Sequence, residues 1–218
     1  MNGLRTAVIF FFCGVLLFSS GCGLMKRKPA ETASTAAGQV TCIGVLPAVP
    51  EVVAGGAAEK TRAADLRQGA EVMDNLLRQE LQGRPDVRLV GLDLLSGLAL
   101  TGGEDSREMA RLVGERIGCN AILETTVSRF EEREGGEYSV EQPSAVAFDM
   151  RLYAADSGAV LWSATFDERQ KTLSENLYEL KKFRSRGFRW VTAEGLMLEG
   201  VRAKFAGSPY FSADNTAP

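Results

Sequence analysis

Histidine is absent from all 218 residues. The commonest general base at neutral pH and the commonest metal ligand are therefore missing. HExxH zinc sites and Ser-His-Asp or Cys-His nucleophile systems cannot be assembled from this chain. The sequence also has no CxxC pair, no Gly-rich phosphate loop ending in Lys-Ser/Thr, no GxSxG elbow, no SxxK pair and no calcium-loop pattern. Carboxylate-only chemistry of the glycosidase kind is the one common scheme these absences leave standing. Its candidates are Glu131, Glu132 and Glu134 beside Gly135-Gly136, where a polar turn should keep them solvated. No catalytic residue, metal site or cofactor is expected. With 25 Lys and Arg against 28 Asp and Glu, the net charge of -3 makes no case for nucleic acid as a partner.

Long apolar runs are scarce too. The longest, Thr6 to Phe18, follows Arg5 and leads into Ser19-Ser20-Gly21-Cys22. It is about two-thirds of the roughly 20 residues that span a bilayer, which suits the removable core of a signal peptide. Phe18-Ser19-Ser20-Gly21-Cys22 resembles the lipobox cut by lipoprotein signal peptidase, with Ser19 where that motif usually has Leu and with Leu16 and Leu17 just upstream. The resemblance implies a mature protein that begins at Cys22 and is held to a membrane through diacylglycerol and N-acyl groups on that residue. The alternative reading is an ordinary signal peptide with a coincidental cysteine, or an uncleaved amino-terminal helix. Gly23, in place of Asp, implies by the sorting rules of such lipoproteins the outer membrane, on its periplasmic face. Lys26-Arg27-Lys28 either touch anionic headgroups or are solvated, and Lys28 to Gly38 reads as a flexible spacer. The expected organisation is a signal at 1–21, a lipidated tether at 22–39, one α/β domain at 40–206 and a flexible tail at 207–218.

Cysteine is sparse. Once Cys13 leaves with the signal and Cys22 is acylated, only Cys42 and Cys119 remain, in a compartment where disulfides persist. Each lies three residues before an apolar strand position, Val45 and Ile122. Neighbouring parallel strands in matching register would bring the thiols level; two separately buried small side chains would look the same in sequence.

The pattern along the domain predicts an α/β fold. It is a mixed sheet of about five strands, β-α-β-α-β and then an antiparallel meander, with helices packed on it and two carboxy-terminal helices. Val40 to Leu46 suits a buried strand ended by Pro47 and Pro50. Thr61 to Gln82 carries Leu66, Ala70, Met73, Leu77 and Leu81 at helical spacing before Gly83 and Pro85. Val87 to Val90 reads as a strand. Asp105 with Glu108 resembles a capping box ahead of a helix ended by Gly118, and Ala121 to Phe130 is the third strand. Val146, Phe148, Met150 and Leu152 alternate with Ala147, Asp149, Arg151 and Tyr153. Asp156-Ser157-Gly158 turns the chain, and Val160, Trp162, Ala164 and Phe166 alternate on the return. Leu173 to Phe183 and Trp190 to Phe205 are the closing helices.

The stretches ending "VLP", "VRLVG", "VGERIGCNAILETTVSRF" and "MRLYAADSGAVLWS" together resemble a group of envelope lipoprotein domains. That group comprises the TolB amino-terminal domain, the lipoprotein activators of penicillin-binding proteins and the curli secretion lipoprotein. The likeness implies a fold and a cellular setting, with an envelope protein as partner; it carries no chemistry. A member that forms a pore raises a second reading, an oligomeric secretion or export component, against which stand Glu131, Glu132, Glu134, Glu137 and Glu141 in the connection that would enter lipid. A carboxylate-based hydrolase of envelope polysaccharide is the third. The remaining feature is Lys181-Lys182-Phe183-Arg184-Ser185-Arg186-Gly187-Phe188-Arg189-Trp190. Its cations and aromatics are either a partner-binding surface through Lys181, Lys182, Arg184, Arg186, Arg189 and Trp190, or a helix end and loop whose aromatics bury.

Overall fold

Strand β1 (Ile43–Val45) is buried throughout, and its short length follows from Pro47. A proline has no N–H for a ladder, so the chain bows away at Pro47 and Ala48, whose N–H is taken by the Asp74 carboxylate at 2.7 Å. It then rejoins the sheet as β2 (Val49–Pro50), a brief pairing that the proline pattern concealed. The computed structural model describes residues 39–51, 57–98, 105–135, 140–170 and 191–212.

Helix α1 (Ala57–Glu80) buries Leu66, Ala70, Met73 and Leu77, and Leu81 just beyond its end is buried with them. The spacing of three and four thus lies on one face against the sheet. Edge strand β3 (Val87–Leu89) follows, and the segment that begins at Leu92 is a short helix, α2 (Leu92–Gly97). In α3 (Ser106–Ile117), Asp105 holds the N-cap position but its side chain caps nothing. The expected capping box is not made, because Glu108 faces Arg111 across one turn at 2.7 Å instead. Gly118 ends α3 in the left-handed conformation at φ 68°, which glycine adopts without a Cβ penalty.

The remaining strands are β4 (Ala121–Glu131), β5 (Glu134–Gly135), β6 (Val140–Gln142), β7 (Ala145–Ala154) and β8 (Val160–Arg169). The main sheet runs β3-β1-β4-β7-β8, with β2 also beside β4, while β5 and β6 form a small hairpin of their own. β1 is parallel to β3 and β4; β7 and β8 are antiparallel additions. This is the mixed sheet that the alternation of periods predicts. Helix α4 (Ala193–Ala206) packs Met197, Val201 and Phe205 inward. Its Gly200 lies over the stacked rings of Phe148 and Phe166, where a methyl group would meet Phe166 at 2.9 Å. The other expected closing helix, Leu173 to Phe183, lies outside the described residues.

Two details depart from simple alternation. A bulge between Val127 and Arg129 shifts the β4 register, so Phe130 points into the core and Arg129 and Glu131 point out. A second irregularity between Leu152 and Tyr153 interrupts the pairing with β8, and Val160, the first of the alternating set on that strand, is exposed. Packing also continues past residue 206. Phe211 is buried and stacks on Phe205 with ring centroids 4.5 Å apart, so the chain is held well beyond the expected start of the tail.

The core divides between the two faces of the sheet. One face, under α1 and α4, holds the larger cluster around Leu66, Met73, Leu123, Phe148, Met150 and Leu196. The other holds a smaller cluster of Leu46, Val90, Ala110, Val113, Cys119, Ile122, Tyr153 and Ala155, with Leu94 and Leu95 of α2 packed against it.

Candidate partner-binding surface

Three places bear on function: the point where the amino-terminal segment joins the sheet, the far end of the sheet, and the edge beside β3. Cys22 lies outside the described residues, but the chain is described from Gln39 onward. Asn120 clamps it there. Its Oδ1 accepts from the N–H of Thr41 at 3.0 Å and of Cys42 at 3.1 Å, and its Nδ2 donates to the Gln39 carbonyl at 2.9 Å. The sulfurs of Cys42 and Cys119 are in contact, with Cα atoms 4.7 Å apart, within the range a disulfide allows. The register is one residue from the expected one. Ile43 pairs with Ala121, which places Cys42 level with Asn120 rather than with Cys119.

At the far end of the sheet, the three carboxylates singled out in sequence go separate ways. Glu131 pairs with Arg169 at 2.5 Å. The Glu132 carboxylate accepts the Ala193 N–H at 3.1 Å, and Thr192 Oγ1 accepts from Gly195 N at 3.1 Å, so the two together cap the start of α4. Glu134 is exposed in β5. The pairings of Glu131 and Glu132 tie β4 to β8 and to the start of α4.

Nearby, Gln170 and Val191 bracket the segment that carries all the cationic and aromatic residues of interest. Gln170 Oε1 accepts from the Val191 N–H at 3.1 Å, and the Ser144 hydroxyl stands 3.0 Å from the Val191 carbonyl. Lys181, Lys182, Arg184, Arg186, Arg189 and Trp190 lie outside the described residues. Gln170 and Val191, on either side of that segment, are hydrogen-bonded to one another. No feature short of knowing that β8 and α4 meet at Ser144 could have revealed this in sequence.

The third place was missed by sequence reasoning. Between α1 and the edge strand β3 runs a groove with two hollows of about 410 and 450 Å³, both bordered by Arg78 and Leu89. The upper hollow lies at the carboxyl ends of β1 and β3 and is lined by Asp74, Leu77, Leu92 and Asp93. Burial raises the Asp74 carboxyl above its ordinary range, opposed by the hydrogen bond from Ala48 and by the charge of Arg78. The spacing of Asp74 and Arg78 signals only one helix face. Asp93 and Leu92 join them through tertiary structure, which no local pattern encodes.

No family model and no curated protein matches this chain. Among solved structures, it is similar to the PelC dodecamer from Paraburkholderia phytofirmans, with 18% identity over 62% of this chain and 78% of that one and a TM-score of 0.34. It is similar to the LpoB C-terminal domain from Salmonella enterica, with 15% identity over 62% and 87% of the two chains and a TM-score of 0.36. Lipoprotein GNA1162 from Neisseria meningitidis is 16% identical over 68% and 94%, with a TM-score of 0.34. Likeness at this level carries nothing about activity, partner or assembly.

Proposed function

We propose that this chain is a non-enzymatic lipoprotein, anchored through diacylglycerol and N-acyl groups on Cys22 to the periplasmic face of the outer membrane, and that it serves as a binding or accessory subunit of an envelope assembly. The observation that carries the reading is the meeting of Cys42 and Cys119. Two thiols brought into contact suit a compartment where disulfides persist, which is where a lipobox would send the chain. In this reading the mature protein contains a Cys42–Cys119 disulfide. The structural employment of Glu131 and Glu132 supports surface recognition over hydrolysis.

The cationic segment is the proposed contact for the envelope partner, through Lys181, Lys182, Arg184, Arg186, Arg189 and Trp190. The hydrogen bonds of Gln170 and Val191, which flank that segment, support the reading by tying both of its neighbours to Ser144 at one end of the sheet. Replacing Cys22 with Ala should move the protein from the membrane pellet to the soluble fraction without unfolding it; continued sedimentation after signal cleavage would defeat the anchor. Equal recovery of cross-linked envelope proteins by the wild type and an Arg184/Arg186/Arg189→Ala variant would defeat the contact.

A further inference from the structure

The half-buried Asp74 is the most informative side chain of the groove beside β3. Its carboxylate accepts the Ala48 N–H, a task that an asparagine oxygen would perform without placing a charge in a partly desolvated site. The charge itself is therefore unexplained by the fold. Arg78, one turn on, donates to Asn75 Oδ1 at 2.8 Å. Asp93, across the upper hollow, is exposed, and among the described residues its carboxylate has no hydrogen-bond or ion-pair partner. Two carboxylates thus face one hollow with Arg78 as the cation on its wall.

The same groove exposes apolar surface and backbone. Leu92 is 72% exposed and Leu89 50%, two of the four large apolar side chains that stand out among the described residues. β3 is an edge: Ile43 N–H bonds to the Asp86 carbonyl and Val90 N–H to the Val45 carbonyl on the β1 side. Alternate residues of a strand direct their backbone groups to opposite sides, so Leu89 directs its N–H and carbonyl outward. Among the described residues no strand takes that side. The position also fits a general tendency of α/β sheets, which bind ligands in crevices outside the carboxyl ends of parallel strands.

We infer that this groove binds an extended peptide segment of a partner protein, added alongside β3, with an apolar side chain in the lower hollow and, two residues along on the same face, a basic side chain in the upper hollow between Asp74 and Asp93. Backbone bonds to Leu89 supply the register, and residues two apart on the added strand, about 6.8 Å from one another, reach successive hollows on one face. The complementarity is of charge as well as shape: an acidic segment would face the two carboxylates. This inference rests on the reading of the protein as a binding subunit, and it assigns that subunit a second contact, separate from the cationic segment.

The test is hydrogen exchange on the full mature chain in detergent, with the capped octapeptide Ser-Val-Ser-Lys-Ser-Val-Ser-Lys as the probe, which sets valine and lysine on one face, and the same peptide with glutamate in place of lysine as its control. The lysine peptide should slow exchange of the Leu89 amide and neighbouring groove amides, and the glutamate peptide should not. Asp74→Asn, which keeps the Ala48 bond, and Asp93→Asn should each weaken binding about tenfold, the size of a lost charged hydrogen bond. Leu92→Ser, at a side chain that packs little, should weaken it too. No protection at β3, equal protection by both peptides, or protection confined to β8 would overturn the proposal. Since the readout is local, its failure leaves the Cys22 anchor and the cationic contact standing, and these are decided by fractionation and cross-linking.

Discussion

The two halves of the sheet differ in how they are covered. The parallel half, β3-β1-β4, has α1 on one side and α2 and α3 on the other. The antiparallel half, β7 and β8, is packed on the α4 side, while its opposite side ends in polar cross-strand pairs: Arg129 to Asp167 at 2.5 Å, and Thr165 Oγ1 to Asp149 at 2.5 Å. Crossover connections put helices over parallel strands, whereas hairpins leave a face to water. The lesson is that the larger buried cluster lies under α1 and α4 and draws on both halves, while the open side of β7 and β8 is polar.

The largest effect should come from the covered face. Phe148→Ala removes a ring that is completely buried beneath α4, and should destabilise by about 3–5 kcal/mol in chemical unfolding. Arg151→Ala, on the open side of the same strand, should stay within about 0.5 kcal/mol. If both changes cost alike, the contrast between the faces is wrong.

A sharper comparison concerns two acids near β3. The hydrogen bond from Arg84 holds the Asp86 carboxyl below its ordinary range; burial opposes it, and the Arg84 charge adds to the lowering. A lowered folded value gives stability that is present above the unfolded value and lost as pH falls through the folded one. Asp86→Asn should therefore erase part of the loss in stability between pH 4 and more acid conditions, where about 3.8 is the unfolded reference. Asp74 has the opposite sign. Its raised value means the folded chain holds the proton more tightly, so stability declines as pH rises from the unfolded value through the folded one. Asp74→Asn should then be stabilising relative to wild type at pH 7 and nearly neutral in acid, read from denaturant midpoints at both values. The smallest effect is expected at the rim: a double-mutant cycle on Arg129 and Asp167 should give a coupling of about 0.2–1 kcal/mol, since both are partly exposed.

The contrast also explains what could be read from sequence. The core positions of α1 and the inward set Val146, Phe148, Met150 and Leu152 were legible because burial on one face imposes a period of 3.6 or 2. Gly118 was legible because a helix end in left-handed geometry favours one residue type. What was hidden depends on contacts between distant segments. Pro47 and Pro50 signalled an end, yet the chain rejoins β4 because Asp74 receives the stranded Ala48 N–H. Glu108 was drawn from its cap by Arg111, and Glu132 caps a helix that begins 61 residues further on. The one-residue offset of Cys42 from Cys119 could not be foreseen, since register is set by pairing across the sheet rather than by either strand alone. The groove beside β3 was hidden for the same reason.

The central claim is that a covalent lipid at Cys22 supplies the location and the folded domain supplies the surface. Mass spectrometry of the amino-terminal peptide from the mature, membrane-extracted protein tests this most directly. The account predicts a peptide that begins at Cys22 and carries diacylglyceryl and N-acyl groups. A peptide that begins elsewhere, or an unmodified Cys22 thiol on membrane-bound protein, would contradict it.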